Sequence, residues 1–185
     1  HFMISIWPNM DPKCENHKEM KEKNLLLPFS DIYNARTEQA RKCYWEQVKR
    51  GLYQYGVDAW WCDSSEPFTP EWSHVERTEP ASQYEEYKKT AGEFLGDMHT
   101  NDFALYHAKG IYEGQRGEIE NGGPNKRVFN LTRSAWTGQQ QYGTVMWSGD
   151  TSASWETFRR QIPAGLNFCA SGLPYWTADI GAFFV

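Results

Sequence analysis

The chain has 185 residues, a formal net charge of −5, nine Trp among 16% aromatic residues, and four cysteines with no CxxC pair. That length gives one domain with a sizeable core, and the acidic balance without a basic stripe excludes a nucleic-acid partner. No apolar run nears the ~20 residues of a membrane span, and the scattered cysteines exclude a zinc knuckle or disulfide scaffold, so a soluble protein with reduced thiols, cytoplasmic in preference to secreted, is expected.

In chain order, residues 2–7 read as a buried strand ended by Pro8, and Asn9 to Asn24 as a polar loop. Asn34 is a candidate N-cap for a helix in which Ala40, Cys43, Tyr44, Val48 and Leu52 recur at three- and four-residue spacing until Gly56. A second strand, Val57 to Cys62, delivers Asp63 at its carboxyl end. A long loop from Ser64 to Pro80 precedes two helices, about Ser82–Leu95 and Asp102–Gln115, and a glycine turn at Asn121–Pro124. The third strand, Arg127–Thr132, delivers Arg133, and the fourth, Thr144–Trp147, delivers Asp150. Ser154 caps a helix reaching Ile162, and a fifth strand around Leu173–Thr177 delivers Asp179.

This β-α alternation predicts an α/β fold with a parallel sheet. Polar residues at the carboxyl end of nearly every strand, and no Gly-rich phosphate loop, favour a (β/α)8 barrel over an open doubly wound sheet. A full barrel takes about 250 residues, so the expectation is a partial barrel of roughly five units. The abrupt strand at the start and the apolar end, Ala182 to Val185, add the expectation of a piece of a larger protein.

Three short apolar runs each end in Trp shortly followed by Asp: Trp61-Cys62-Asp63, Trp147-Ser148-Gly149-Asp150 and Trp176-Thr177-Ala178-Asp179. Aromatic faces stack on pyranose C–H surfaces, and carboxylates from separate strands can converge as nucleophile and general acid. Singly, an Asp after a strand also serves as an N-cap and a Trp also fills a core; the repeated pairing points to sugar chemistry. Asp63 is the candidate nucleophile, kept ionised by a nearby Arg133, and Asp150 the candidate acid/base, holding its proton longer beside Trp147. Arg133 has two open roles, a structural pair with Glu66 or a contact to sugar or nucleophile. His17, His74, His99 and His107 lack an H-x-H pair on a strand, so no metal and no cofactor are expected. Cys62, one residue before Asp63 on a strand, should face the helices, and the sequon Asn130-Leu131-Thr132 should be structural.

Ile4-Ser5-Ile6-Trp7-Pro8, Trp60-Trp61-Cys62-Asp63-Ser64-Ser65-Glu66-Pro67, Leu131-Thr132-Arg133-Ser134-Ala135-Trp136-Thr137-Gly138, Trp147-Ser148-Gly149-Asp150 and Pro174-Tyr175-Trp176-Thr177-Ala178-Asp179-Ile180-Gly181, in this order, resemble glycoside hydrolase family 31, the retaining α-glucosidases and α-xylosidases. The resemblance spans nearly the whole chain. It implies Asp63 as nucleophile, Asp150 as acid/base, Arg133 and Asp179 as ligands of the sugar at the cleaved bond, and Trp61, Trp147 and Trp176 as pocket walls. It places residues 1–185 on strands three to seven of the barrel, without the first two strands, the eighth, and the flanking β domains. An arc of that kind should be unstable or self-associating unless its other parts are supplied. The D-x-x-E-P form at Asp63–Pro67 leans toward α-xylosidases, because α-glucosidases usually read D-M-N-E there. The partner expected is an oligosaccharide or small α-glycoside. The competing expectation is a catalytically incompetent, carbohydrate-binding fragment of such an enzyme.

Overall fold

Five short apolar segments pair side by side in the order in which the chain makes them. They are seen in a computed structural model, which describes residues 1–28, 30–66, 85, 89, 92, 93, 95–99 and 101–184. The strands are β1 (Met3–Ile6), β2 (Ala59–Cys62), β3 (Asn130–Thr132), β4 (Thr144–Trp147) and β5 (Trp176–Thr177), every neighbouring pair parallel. A doubly wound sheet reverses its strand order at a switch point, and this sheet does not, so the molecule is an arc of a (β/α)8 barrel as expected.

The connections between strands carry α1 (Glu15–Glu22), α2 (Glu38–Gly51), α3 (Phe103–Glu120) and α4 (Trp155–Ala170). Residues 85, 89, 92, 93 and 95 are helical too. Otherwise the predicted loop Ser64–Pro80 and helix Ser82–Leu95 fall, from residue 67 onward, largely outside the described residues. The polar loop predicted between Asn9 and Asn24 contains α1, whose sequence is polar on nearly every side and buries only His17 and Met20. Thr37, not Asn34, caps α2, its side chain accepting from the Ala40 amide at 3.3 Å. Asn34 instead accepts from the Arg36 amide in the turn before it. Ser154 caps α4 as predicted, but that helix runs on through Pro163 to Ala170. Its interior proline sacrifices one hydrogen bond without ending the helix.

The ladder fixes which way each side chain points. Ile6, Cys62, Thr132, Met146 and Trp176 form one row across all five strands, and Ser5, Trp61, Leu131 and Val145 form the neighbouring row. Side chains alternate faces along a strand, so these rows face opposite sides. The first row faces the helices. Its Ile6, Cys62, Thr132 and Met146 are buried, and with Trp60, Met20, Tyr33, Tyr44, Trp45, Phe103 and Ile111 they form or adjoin the core between sheet and α1–α3. Asn130 lies on that side too, donating to the Tyr142 carbonyl at 2.9 Å, which gives the sequon its structural role. The second row faces the barrel interior, toward which the strand ends carry the polar residues.

Candidate active site

Asp63 directly follows β2. Its amide donates to the Ile6 carbonyl of β1 at 3.1 Å, so the ladder holds it in place. Ser64 takes the left-handed conformation, φ 50°, and its amide donates to Asp63 Oδ1 at 2.7 Å. That turn aims the Asp63 carboxylate into the interior and sends Ser65 and Glu66 back toward β3. Arg133 holds the equivalent position after β3, its amide on the Cys62 carbonyl at 3.3 Å. Asp150 follows β4 through Gly149, whose φ of 72° suits glycine, and a Cβ there would meet Arg133 Cγ at 3.4 Å.

The guanidinium of Arg133 is the hub. Nη2 and Nε hold Glu66 Oε2 at 3.0 and 3.1 Å, while Nη1 lies 3.1 Å from Asp63 Oδ1 and 3.8 Å from Asp150 Oδ2. Both open roles of Arg133 are therefore realised in one geometry: it pairs with Glu66 and contacts Asp63. Two carboxylate oxygens on one nitrogen at those distances are at most about 7 Å apart, which admits the roughly 5 Å spacing of a retaining pair. The Arg133 side chain is only 11% exposed. Burial opposes its charge, but Glu66 first, then Asp63 and Asp150, outweigh that and raise its hold on the proton.

Asp179 completes the acidic group. Its carboxyl is pushed above the usual range, by burial first and then by the charges of Asp150 and Asp63. It also lines a cavity of about 520 Å³ with Thr151, Trp155, Phe158, Ile180 and Ala182, between the start of α4 and the 178–182 turn. Trp61 and Trp147 meet edge to face, ring centroids 5.3 Å apart, on the interior side. Trp61 is 37% exposed and offers a surface, whereas Trp147 is buried behind it.

Trp176 is not brought to this place. The sequence expectation set it in the pocket wall, but pairing with Met146 puts it in the helix-facing row. There its ring packs 4.8 Å from that of Phe168, and a Cβ at Gly165 would come within 2.9 Å of it. Cys62 faces the helices as expected, and burial pushes its thiol far above the ordinary range, which leaves it inert as a nucleophile. Among the described residues, no group of three or more His, Cys, Asp or Glu side chains is arranged to hold a metal ion. His17, His99 and His107 bond Asp31, Asp102 and Tyr33.

Sequence reasoning missed a buried hydroxyl cluster beneath the hub, made by Ser65, Thr132 and Ser134. Its only sequence trace is three hydroxyl residues at or just beyond the ends of two strands. Such residues are common at strand ends, and only the pairing of β2 with β3 brings them together.

The profile of the glycosyl hydrolases family 31 TIM-barrel domain matches residues 1–184. The chain belongs to this family. It is 40% identical, over 98% of its length and 23% of the relative's, to an alpha-xylosidase of Saccharolobus solfataricus. The crystal structure of a family 31 alpha-xylosidase from Xanthomonas citri superposes with a TM-score of 0.78 at 31% identity, over 99% of this chain and 20% of that one. A family 31 alpha-xylosidase from a soil metagenome, complexed with xylose, gives a TM-score of 0.75, also at 31% identity, over 99% and 26%. The chain thus spans about a quarter of the length of these relatives.

Proposed function

We propose that the chain supplies the catalytic centre of a retaining α-glycoside hydrolase acting on non-reducing-end α-linked sugars, with α-xylosides favoured over α-glucosides. One observation carries this reading: a single, largely enclosed guanidinium draws together Asp63 and Asp150, delivered by two different strands, at a spacing that admits double displacement. Asp63 attacks the anomeric carbon while the bond to the leaving oxygen breaks and Asp150 gives that oxygen a proton. Asp150, now ionised, takes a proton from water, and the resulting hydroxide displaces Asp63 with a second inversion. Arg133 fixes the Asp63 carboxylate in line, and Asp179 and Arg133 are the proposed ligands of the sugar hydroxyls. Trp61 offers the stacking surface and Trp147 supports it from behind.

The lean to xylose rests on the D-x-x-E-P motif and on the similarity to α-xylosidases. In this reading, residues 1–185 are strands three to seven of an eight-stranded catalytic barrel, and the substrate is an oligosaccharide or small α-glycoside, with neither nucleic acid nor membrane as a partner. No described helix is long and apolar enough to cross a membrane; the proposed cytoplasmic setting is supported by the four free cysteines.

For the 185 residues alone, a second reading is favoured by an exposed apolar stripe on α4. Trp155, Phe158, Ile162 and Leu166, spaced three and four apart, are all more than half exposed. The isolated arc would cover this face by self-association or with the remaining barrel segments, and would turn over substrate poorly. The test is hydrolysis of aryl α-xyloside and aryl α-glucoside by the full-length protein. Asp63→Ala is expected to remove turnover by more than about 10³-fold. Unchanged turnover in that variant contradicts the reading.

A further inference from the structure

The Ser65 hydroxyl bridges the two segments that carry the proposed catalytic charges, and it is fully buried. Ser65 sits two residues after Asp63 and next to Glu66; its partners, Thr132 and Ser134, flank Arg133 on either side. Ser65 Oγ lies 3.1 Å from Thr132 Oγ1 and 2.9 Å from Ser134 Oγ, and it accepts from the Ser134 amide at 3.1 Å. Thr132 donates its hydroxyl proton to the Ser134 carbonyl at 2.9 Å. That settles every proton in the cluster. Thr132 Oγ1 can only accept from Ser65, so Ser65 Oγ receives both the Ser134 hydroxyl and the Ser134 amide. Gln139 Nε2 adds a second, longer bond to the Ser134 carbonyl at 3.4 Å.

The position of this knot matters as much as its completeness. The β2–β3 register ends at Cys62 and Thr132, and one further bond on each tail, from the Asp63 amide to Ile6 and from the Arg133 amide to Cys62, is the last that the ladder supplies; Ser65, Glu66 and Ser134 lie beyond it. The ion pairs among Asp63, Glu66 and Arg133 fix orientation, but a guanidinium facing three carboxylates can shift toward any one. A neutral, fully satisfied hydroxyl knot, with Ser65 and Thr132 buried and Ser134 partly so, sets the separation of the two tails independently of charge.

We propose that Ser65 is a positioning residue: through Ser134 and Thr132 it fixes the backbone of Arg133, and so places the guanidinium between Asp63 and Asp150. The proposal rests on the glycosidase reading above. Misplacement near 1 Å at a reacting centre costs on the order of 10²-fold in rate. In the full-length protein, Ser65→Ala is therefore expected to lower kcat on aryl α-xyloside by about 10- to 100-fold, with KM changing less than about threefold. The deciding measurement is a double-mutant cycle with Arg133→Lys. If Ser65 acts through Arg133, adding Ser65→Ala to Arg133→Lys lowers kcat by less than about threefold further. Equal losses in both backgrounds, or wild-type kcat in Ser65→Ala, overturn the proposal. If Ser65→Ala shows no cooperative melt, Ser134→Ala, which removes one donor and keeps the Ser65–Thr132 bond, enters the same cycle with the same criteria. Absence of α-glycoside turnover in the wild-type protein overturns the glycosidase reading and this proposal with it.

Discussion

His107 shows how much a single buried side chain can be asked to tolerate. It is enclosed by Tyr33, Tyr44 and Phe103, and its Nδ1 lies 2.7 Å from the Tyr33 hydroxyl. Whichever of the two donates, the buried Nε2 has no hydrogen-bond partner among the described residues. Burial pushes the His107 pKa down from 6.5 to about 3. Above pH 6.5 both folded and unfolded chains hold it neutral, and its contribution to stability is fully present. Below that, the unfolded chain takes up a proton that the folded chain refuses until about pH 3, so stability falls across this window, by up to about 1.4 kcal/mol per pH unit. His107→Gln removes the titration, and its melting temperature in the full-length protein is expected to fall less steeply than the wild type's between pH 6.5 and 4; parallel curves would contradict this. At this scale the sequence was most informative at the strand ends, where Asp63 and Arg133 are legible as the first residues beyond strands and Asp150 as the third. Trp176 was misjudged because one residue of parity on a two-residue strand decides between pocket and helix face. The Ser65 knot was illegible because its members lie 67 and 69 residues apart.

Among the elements, α2 and α3 show why two glycines sit inside a helix. A Cβ on Gly110 would come within 3.0 Å of the Arg41 side chain, and one on Gly114 within 2.2 Å of Trp45 Cγ. These glycines, one turn apart on the same face of α3, let it approach α2 and press Trp45 against Trp60, whose indole N–H donates to Gln115 at 2.9 Å. Alanine at Gly114 would gain about 1 kcal/mol of helix propensity. Against that stands overlap with a buried indole, which costs about 1–3 kcal/mol and more where neither backbone nor ring can move. The overlap wins, so Gly114→Ala is expected to lower the melting temperature in a thermal scan; an unchanged or raised value would contradict the packing described. Helical spacing made α2 legible, and Ser154 marked the start of α4. α1 was hidden because a helix tied down mainly by polar contacts, such as Glu19 to Arg50 and Gln47, shows little apolar period.

On the scale of the whole molecule, sequential parallel strands and carboxyl-end polar residues made the barrel arc legible from the sequence, since they follow from β-α alternation and the missing phosphate loop. Less legible was the asymmetry of the arc. The core lies against α1–α3, where β1–β3 are covered, whereas α4 leaves an apolar stripe open beside β5. The proposed catalytic group sits between these two regions, with Asp63 and Arg133 on the well-packed side and Asp150 and Asp179 on the open side. This arrangement puts Asp63, the proposed nucleophile, on the better-packed half of the site. The most direct measurement is therefore to incubate the full-length protein with a 5-fluoro-α-xylosyl fluoride, which slows breakdown of the glycosyl-enzyme, and to map the adduct by mass spectrometry. The account predicts one added sugar on the peptide carrying Asp63, absent in Asp63→Ala. An adduct on another carboxylate, or release of xylose with inverted configuration and no adduct, would contradict it.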